Sequence, residues 1–494
     1  MGGYFRGLDE FNPWVGLFIC LAGVLLIQGS VEFQPFDDAF ITYRYARNLS
    51  QGLGFVYNRG EQVLGTTTPL YTLLLALISI ILQPEIIPGA SFIIGIAADV
   101  FNVWLLFKLS REIFKDRNIA LLISAVFLLH PYRLTVANGG METSLFILSL
   151  LLTYDRYICG NRSLSTSIWS AAAFLIRPDA LLALVPVYAD WFFHDKKGSI
   201  RSALIALGLI SPWIIWSALY FGTPIPHSII AKDLIYNNPP GHAAYFLLTF
   251  IGTGTPGPYL SPYIILPIIV FGFPLLTISP WILLKKQPRA LVISLYPILY
   301  TIVMILQNPS MIFPWYYLPL IPGLLILAAG LIWFGLKVEK KTKYLIGLGT
   351  SLILILFPLF LLVTKPTSLL SRARESAFRD ACAFLAEDEL EGRTVLAPDI
   401  GVIGWCLDDV KILDPIGLVS PEAIPYNKDA PPNELLPVRL LLDKKPDYLI
   451  GLDHFIGPNI LENEGFQESY EMIYNQRVLI TEHDHQLYIF QYRK

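Results

Sequence analysis

The sequence predicts an α-helical polytopic membrane protein with about eleven transmembrane helices, juxtamembrane helices in the first outer loop, and a small C-terminal extracytoplasmic α/β domain. Three observations predict it. Of 494 residues, 54% are hydrophobic and only 15% charged, and the mean hydropathy is +0.54, so lipid rather than water must solvate most of the chain. Apolar runs long enough to cross ~30 Å of hydrocarbon recur as far as residue 363. Beyond residue 365 those runs shorten and polar, strand-like segments take over.

Spans are expected at about 11–31, 88–109, 118–137, 141–158, 163–176, 180–193, 203–221, 259–284, 290–306, 315–336 and 344–363. The first is too long for a signal peptide and lacks a clear small-residue cleavage site, so it reads as a retained anchor. The runs 163–176 and 180–193 are interrupted by RPDA and read as a partial hairpin. One further run, TTTPLYTLLLALISIIL at 66–82, is ambiguous. If it crosses, the basic segment KLSREIFKDR (108–117) lands opposite the other basic loops at 156–162, 196–201, 285–289 and 337–343. If it lies along the surface, every basic loop falls on one side. The excess of Lys and Arg in cytoplasmic loops favours the surface arrangement. The protein is then multi-pass in the cytoplasmic (plasma) membrane, with its N-terminus inside and its C-terminal domain outside.

Two domains are expected, a transmembrane domain over residues 1–365 and a soluble extracytoplasmic domain over residues 366–494. In the second, SRARESAFRDACAFLAEDEL reads as a helix, and RTVLAPDIG, VKILD, PDYLIGLD and HQLYIFQYR as short strands. No period of about 20 to 50 residues recurs, which excludes a solenoid. The net charge of −3 is too small to argue for nucleic acid. The four cysteines have no zinc-site spacing, and Cys382 and Cys406 are left open to pairing.

With inside and outside assigned, the cations near the outer face become informative, because the topology rule disfavours them there. They are Arg44, Arg47 and Arg59 in the first outer loop, Arg133, Arg177 at the interrupted hairpin, and Lys232 in PIPHSIIAK. Taken singly, each reads as a snorkelling side chain or the partner of a nearby acid. Taken together they suggest an anion held at the outer membrane face, of which a lipid phosphate is the obvious kind.

The segment PFDDAFITYRYARNLSQGLGF follows the first span. Pro35 stops the preceding chain, Asp37 suits an N-cap for a helix beginning near Asp38, and Gly52 and Gly54 end it. Asp37, Ile41, Arg44 and Asn48 then share one helix face. A capping Asp37, a dipole-complementing Asp38 and a solvated Arg44 would explain the same residues without any chemistry. If the anion is a phosphate leaving group, it needs cations to take up charge. The attacking hydroxyl needs a single carboxylate to accept its proton.

The order DDAFITYRYARNLSQGLGFVYNRGEQVLGTTTPLYTLLLA, HPYRLTVANGGMETSLFIL, LIRPDALLAL, YFGTPIPHSIIAK and FPWYYLPLIPGLL resembles the GT-C superfamily of polytopic membrane glycosyltransferases. It is most similar to the lipid-linked, polyprenyl-phosphate-dependent arabinofuranosyltransferases and their uncharacterised relatives, and APDIGVIGWCLDDVKILDPIGLVSPE resembles their outer domain. The resemblance implies an inverting glycosyltransferase that moves an arabinofuranose-like pentose or a hexose from a polyprenyl-phosphate donor to an acceptor hydroxyl outside the cytosol. Its partners would be that donor, a glycan, lipid or protein acceptor, and membrane lipid. Of the acidic pair Asp37 and Asp38 one would be the catalytic base, Asp37 being the first choice. Arg44 and Lys232, with His227 beside them, would hold the donor phosphate. Glu142 would position sugar hydroxyls, with His130 and Arg133 preceding it, and Trp315 and Tyr316 would stack on sugar or isoprenoid unless they serve only as interface aromatics. No cofactor is certain and no residues are assigned to a metal; two neighbouring aspartates are compatible with a divalent ion without implying one. The competing readings are a transporter or flippase of lipid-linked glycans and a non-catalytic scaffold of the same fold. A transporter predicts broken helices, repeats and charges at mid-membrane rather than charges gathered at one face.

Overall fold

Hydrocarbon offers the backbone no hydrogen-bond partner, so an apolar chain satisfies its amides and carbonyls within helices. The computed structural model accordingly is mostly helical. It describes residues 13–30, 33–160, 163–235, 239, 241–253, 272–309, 313–364, 373–387, 389–430, 434–480 and 483–493. Among them, five helices are long and apolar enough to cross a membrane: Pro84–Phe114, Lys196–Phe221, Pro288–Gln307, Leu318–Gly335 and Lys340–Leu361. A sixth crossing is made if Arg117–Leu129 and Pro131–Ala137, which meet at 55°, count as one. Several expected spans are shorter helices, such as Ser163–Ile176 and Leu181–His194, broken where expected at Pro178–Ala180. Helix length among the described residues therefore does not reach the expected eleven crossings, and part of the span expected at 259–284 lies outside those residues. The helix Pro69–Leu82 has 14 residues, about 21 Å at the α-helical rise, too short to cross alone.

The basic turns gather at one end of the bundle. Lys108 and Arg156 both pair with Asp155, at 2.7 and 3.8 Å, and Lys340 pairs with Asp116 at 2.9 Å. At the other end the chain before Asp37 is tied to the loop 138–142. The Phe36 amide donates to the Gly139 carbonyl at 2.9 Å, and the Tyr43 hydroxyl donates to the Gly140 carbonyl at 2.9 Å. The helix Asp37–Ser50 lies at that second end, where Asp37, Arg44, Arg47 and Asn48 are all buried. It starts at Asp37 itself, with Phe36 at the N-cap and no side-chain cap bond, a correction to Asp37 as the capping residue. Its C-terminus turns at Gly52, whose φ of 78° suits a residue without Cβ.

The C-terminal region is a five-stranded sheet in the order β2-β1-β3-β5-β4. Its strands are β1 (Thr394–Leu396), β2 (Lys411–Leu413), β3 (Tyr448–Leu452), β4 (Tyr470–Ile480) and β5 (His483–Tyr492). Four of them fall in the segments expected to be strands; β4 carried no distinct sequence signal, its exposed positions breaking the apolar alternation. β1, β2 and β3 are parallel, and β5 and β4 add an antiparallel hairpin. One face packs on the helices Ala373–Leu385 and Gly401–Cys406 and on the helix Asp37–Ser50 through Val395, Ile412 and Ile450. The other face carries Leu396, Leu413 and Leu449 against Leu440, Ile460 and Phe466. The helix Gly401–Cys406 connects β1 to β2, and the chain then crosses over to place β3 on the opposite side of β1. The strand order thus reverses between β1 and β3, where a crevice opens at the carboxyl ends of parallel strands. The boundary expected at 365 lies outside the described residues.

Candidate functional site

The helix Asp37–Ser50 sits between bundle and sheet, so its polar face meets protein rather than water. Asp37 is buried, and both its oxygens are taken. Oδ2 accepts the Gly401 amide at 2.9 Å and Oδ1 the Val402 amide at 2.8 Å, so the carboxylate seals the start of the helix Gly401–Cys406. Burial and the nearby Asp399 carboxylate push its pKa up to about 8, while Arg374 and the Val402 amide pull against them. Asp399 is likewise pushed up by burial, with Arg374 opposing at 3.3 Å.

Arg44, one helical repeat further on the same face, is also spent on structure. Its Nε donates to the Tyr57 carbonyl at 2.9 Å and Nη2 to Val410 at 2.8 Å, while Nη1 reaches the carbonyls of Gly404 and Leu407. Four backbone carbonyls leave this 1%-exposed guanidinium no donor face for a phosphate, and the expected phosphate role is not met by its geometry. The shared face of Asp37, Arg44 and Asn48 is real, but what it recognises is the C-terminal sheet's loops. Arg47 and Arg59 follow the same pattern, pairing with Asp408 at 2.8 and 3.6 Å.

Arg133 is likewise taken. It is wholly buried within the bundle and bonds Asp99 at 2.7 Å, which also accepts from Gln28 at 2.7 Å. His130 is buried at the bend before Pro131, its Nδ1 without a hydrogen-bond partner among the described residues.

The remaining expected residues do converge. Asp38 is the half-exposed member of the acidic pair, and its charge is felt by Asp37, Asp399 and Glu142. Glu142 lies 3.6 Å from Arg177, whose Nε and Nη2 grip Asp179 at 3.0 and 2.9 Å. Arg177 also donates to the Trp315 carbonyl at 3.4 Å and lies 4.8 Å over the Tyr316 ring. Trp315 stacks on Phe313 at 4.8 Å and approaches Phe36, the residue before Asp37, at 5.4 Å. Lys232 Nζ lies 4.3 Å from the centre of the Phe313 ring. His227 is anchored by its backbone amide to the Leu64 carbonyl at 2.8 Å, and burial lowers its pKa, so the ring is neutral near pH 7.

Asp38, Glu142, Arg177, Trp315, Tyr316 and Lys232 therefore surround one region at the end of the bundle beneath the sheet. Glu142 and Asp179 face the Arg177 guanidinium there, the Asp38 carboxylate adds charge felt at Glu142, and Lys232 supplies positive charge at Phe313. Arg177 was legible only as an outer cation in a helix-breaking RPDA. Its pairing with Glu142 joins residues 35 positions apart and had no sequence signal.

Comparison with known proteins bears on the fold. A family profile described as a domain of unknown function, DUF8728, matches residues 371–490. No curated protein matches the chain. Among solved structures, ArnT from Cupriavidus metallidurans bound to undecaprenyl phosphate superposes with a TM-score of 0.55 at 11% identity, over 96% of this chain and 97% of that one. ArnT in the apo state gives 0.54 at 12% identity, with the same coverage. The arabinosyltransferase EmbB from Mycobacterium smegmatis is a weaker likeness, with a TM-score of 0.40 at 13% identity over 95% of this chain and 45% of that one. The chain thus has, over nearly its whole length, the fold of ArnT, and its long apolar helices suit a multi-pass membrane protein.

Proposed function

We propose that this chain is an inverting glycosyltransferase that moves a sugar from a polyprenyl-phosphate donor to an acceptor hydroxyl at the outer face of the cytoplasmic membrane. One observation carries the reading: Asp38, half-exposed, stands with Glu142 and the Trp315 wall at the mouth of a bundle folded like ArnT. ArnT has itself been solved bound to undecaprenyl phosphate. Asp38 rather than Asp37 is the base, because a base must reach the acceptor hydroxyl directly or through one water, and both Asp37 oxygens already hold amides. Glu142, oriented by Arg177, positions the acceptor through its hydroxyl groups. Lys232 and a neutral, hydrogen-bond-donating His227 hold the donor phosphate, which leaves with its negative charge and needs no acid. Trp315 and Tyr316 form the apolar wall along which sugar or isoprenoid lies. The extracytoplasmic placement of the sheet follows the basic turns, which lie at the opposite end of the bundle. The donor class extends to pentoses and hexoses.

The test is transfer from a panel of radiolabelled polyprenyl-phosphate pentoses and hexoses by the full chain in proteoliposomes. Asp38→Asn should abolish turnover with its melting temperature preserved. Undiminished turnover in that variant would remove the base, and movement of intact donor across the bilayer without its consumption would replace the enzyme by a transporter.

A further inference from the structure

The residues that follow β3 meet the first residues of β5 at the carboxyl end of β3. The ladder sets their register: Leu452 faces Leu487, and one step further Asp453 and Gln486 clasp each other. The Asp453 amide donates to the Gln486 carbonyl at 2.8 Å, and the Gln486 amide donates to Asp453 Oδ2 at 3.1 Å. The other oxygen, Oδ1, lies 2.7 Å from His485 Nδ1. His454 extends from the next position, exposed, with its ring 4.1 Å from Phe455 and 5.6 Å from the His485 ring. One ligand atom from each of Asp453, His454 and His485 falls within 4.8 Å of the others.

Two imidazoles and one carboxylate are the donor set of borderline divalent transition metals, whereas magnesium and calcium take oxygen almost alone. Ligands of a tetrahedral zinc ion stand roughly 3.3 Å apart, from metal–ligand bonds of about 2.0 Å. Asp453 Oδ1 and His485 Nδ1, hydrogen-bonded at 2.7 Å, would part by about 0.6 Å to reach that spacing as the ion replaces their shared proton, and a rotation of the exposed His454 side chain closes the third distance. We propose that Asp453, His454 and His485 bind one divalent transition-metal ion of the zinc type. Three protein ligands leave a fourth position open, as in sites where the ion engages an external oxygen. Arg374, whose charge reaches His454, is paired with Glu375 and Asp399 at 3.2 and 3.3 Å. The proposal does not rest on the sugar-transfer reading.

The test uses the full chain in detergent, purified through a tag without histidine and stripped with chelator. Zn²⁺ binding is measured by equilibrium dialysis and the coordination by the visible spectrum of added Co²⁺. The wild type should retain one equivalent of Zn²⁺ that millimolar Mg²⁺ does not displace, with the d–d bands of a four-coordinate cobalt site. His454→Ala, at an exposed position, should melt as the wild type does and weaken binding at least tenfold; His485→Ala should do the same to binding. Equal Zn²⁺ retention by wild type and His454→Ala, no retained Zn²⁺ in the wild type, or displacement by Mg²⁺ would each overturn the proposal.

Discussion

Asp37 accepts a 2.8 Å hydrogen bond from the backbone amide of Val402, 365 residues further along the chain. With the Gly401 amide on its other oxygen, this is the contact by which the helix Asp37–Ser50 reads the position of the C-terminal sheet. Asp37→Ala orphans both amides in a buried site, at about 1–3 kcal/mol for each unsatisfied group. The variant should make the C-terminal sheet more sensitive to limited proteolysis and lower the melting temperature, whereas Asp38→Asn should leave both unchanged.

The same carboxylate sets a pH dependence. Its folded pKa of about 8 stands above the ordinary value near 3.9. The stability it contributes is therefore fully present below about pH 4 and is lost as pH rises through about 8. Thermal unfolding of the full chain in detergent should show the C-terminal transition weakening from pH 5 to pH 9. In Asp37→Asn that slope should flatten; an unchanged slope would assign it elsewhere.

Arg44 bonds the carbonyls of Tyr57, Gly404, Leu407 and Val410, a planar fork that an ammonium cannot reproduce. Arg44→Lys is expected to destabilise by about 2–4 kcal/mol, since several buried carbonyls lose their donor, with donor KM unchanged in the folded fraction. A raised KM at wild-type melting temperature would instead return Arg44 to phosphate binding.

Gly401 and Gly404 face the same helix. A Cβ at Gly401 collides with the Asp37 backbone, and one at Gly404 with the Tyr57 hydroxyl. Gly401→Ala should undock the sheet more severely than Gly404→Ala, because backbone yields less than the end of a side chain. Accessibility of the buried Cys382 to a maleimide in native membranes, in a Cys406→Ser background, measures it.

Asp99 and Arg133, wholly buried at 2.7 Å, should tolerate loss together better than loss singly. Asp99→Asn leaves a buried guanidinium without its counter-charge, at about 3–5 kcal/mol. The double variant Asp99→Leu with Arg133→Leu should recover part of that, read as a coupling energy in a double-mutant cycle of thermal unfolding.

Much of the architecture was legible because lipid and water impose separable patterns on a sequence. The long helices, the break at RPDA, four strands and the C-terminal helix Ala373–Leu385 lie where apolar runs, prolines and β-rich segments put them. The candidate site was legible by residue but not by role. Asp37 and Asp38 are adjacent letters of the same kind. One faces Gly401 and Val402 and the other faces Glu142 because successive residues on a helix point about 100° apart and the two sides of this helix meet different neighbours. Arg44 and Lys232 read alike in the sequence as cations beside apolar runs, yet one is spent on carbonyls 360 and more positions away.

The sequence by itself determined that this chain is a mostly helical membrane protein with a small sheet after it, since hydropathy and local periodicity act over a few turns of chain. Only the tertiary structure decided which carboxylate remains open, which cations are consumed as struts, and that Asp453, His454 and His485 meet. Those outcomes depend on contacts across tens to hundreds of residues, and hydrogen-bond satisfaction in a buried site is a property of the neighbours that arrive there rather than of the residue itself.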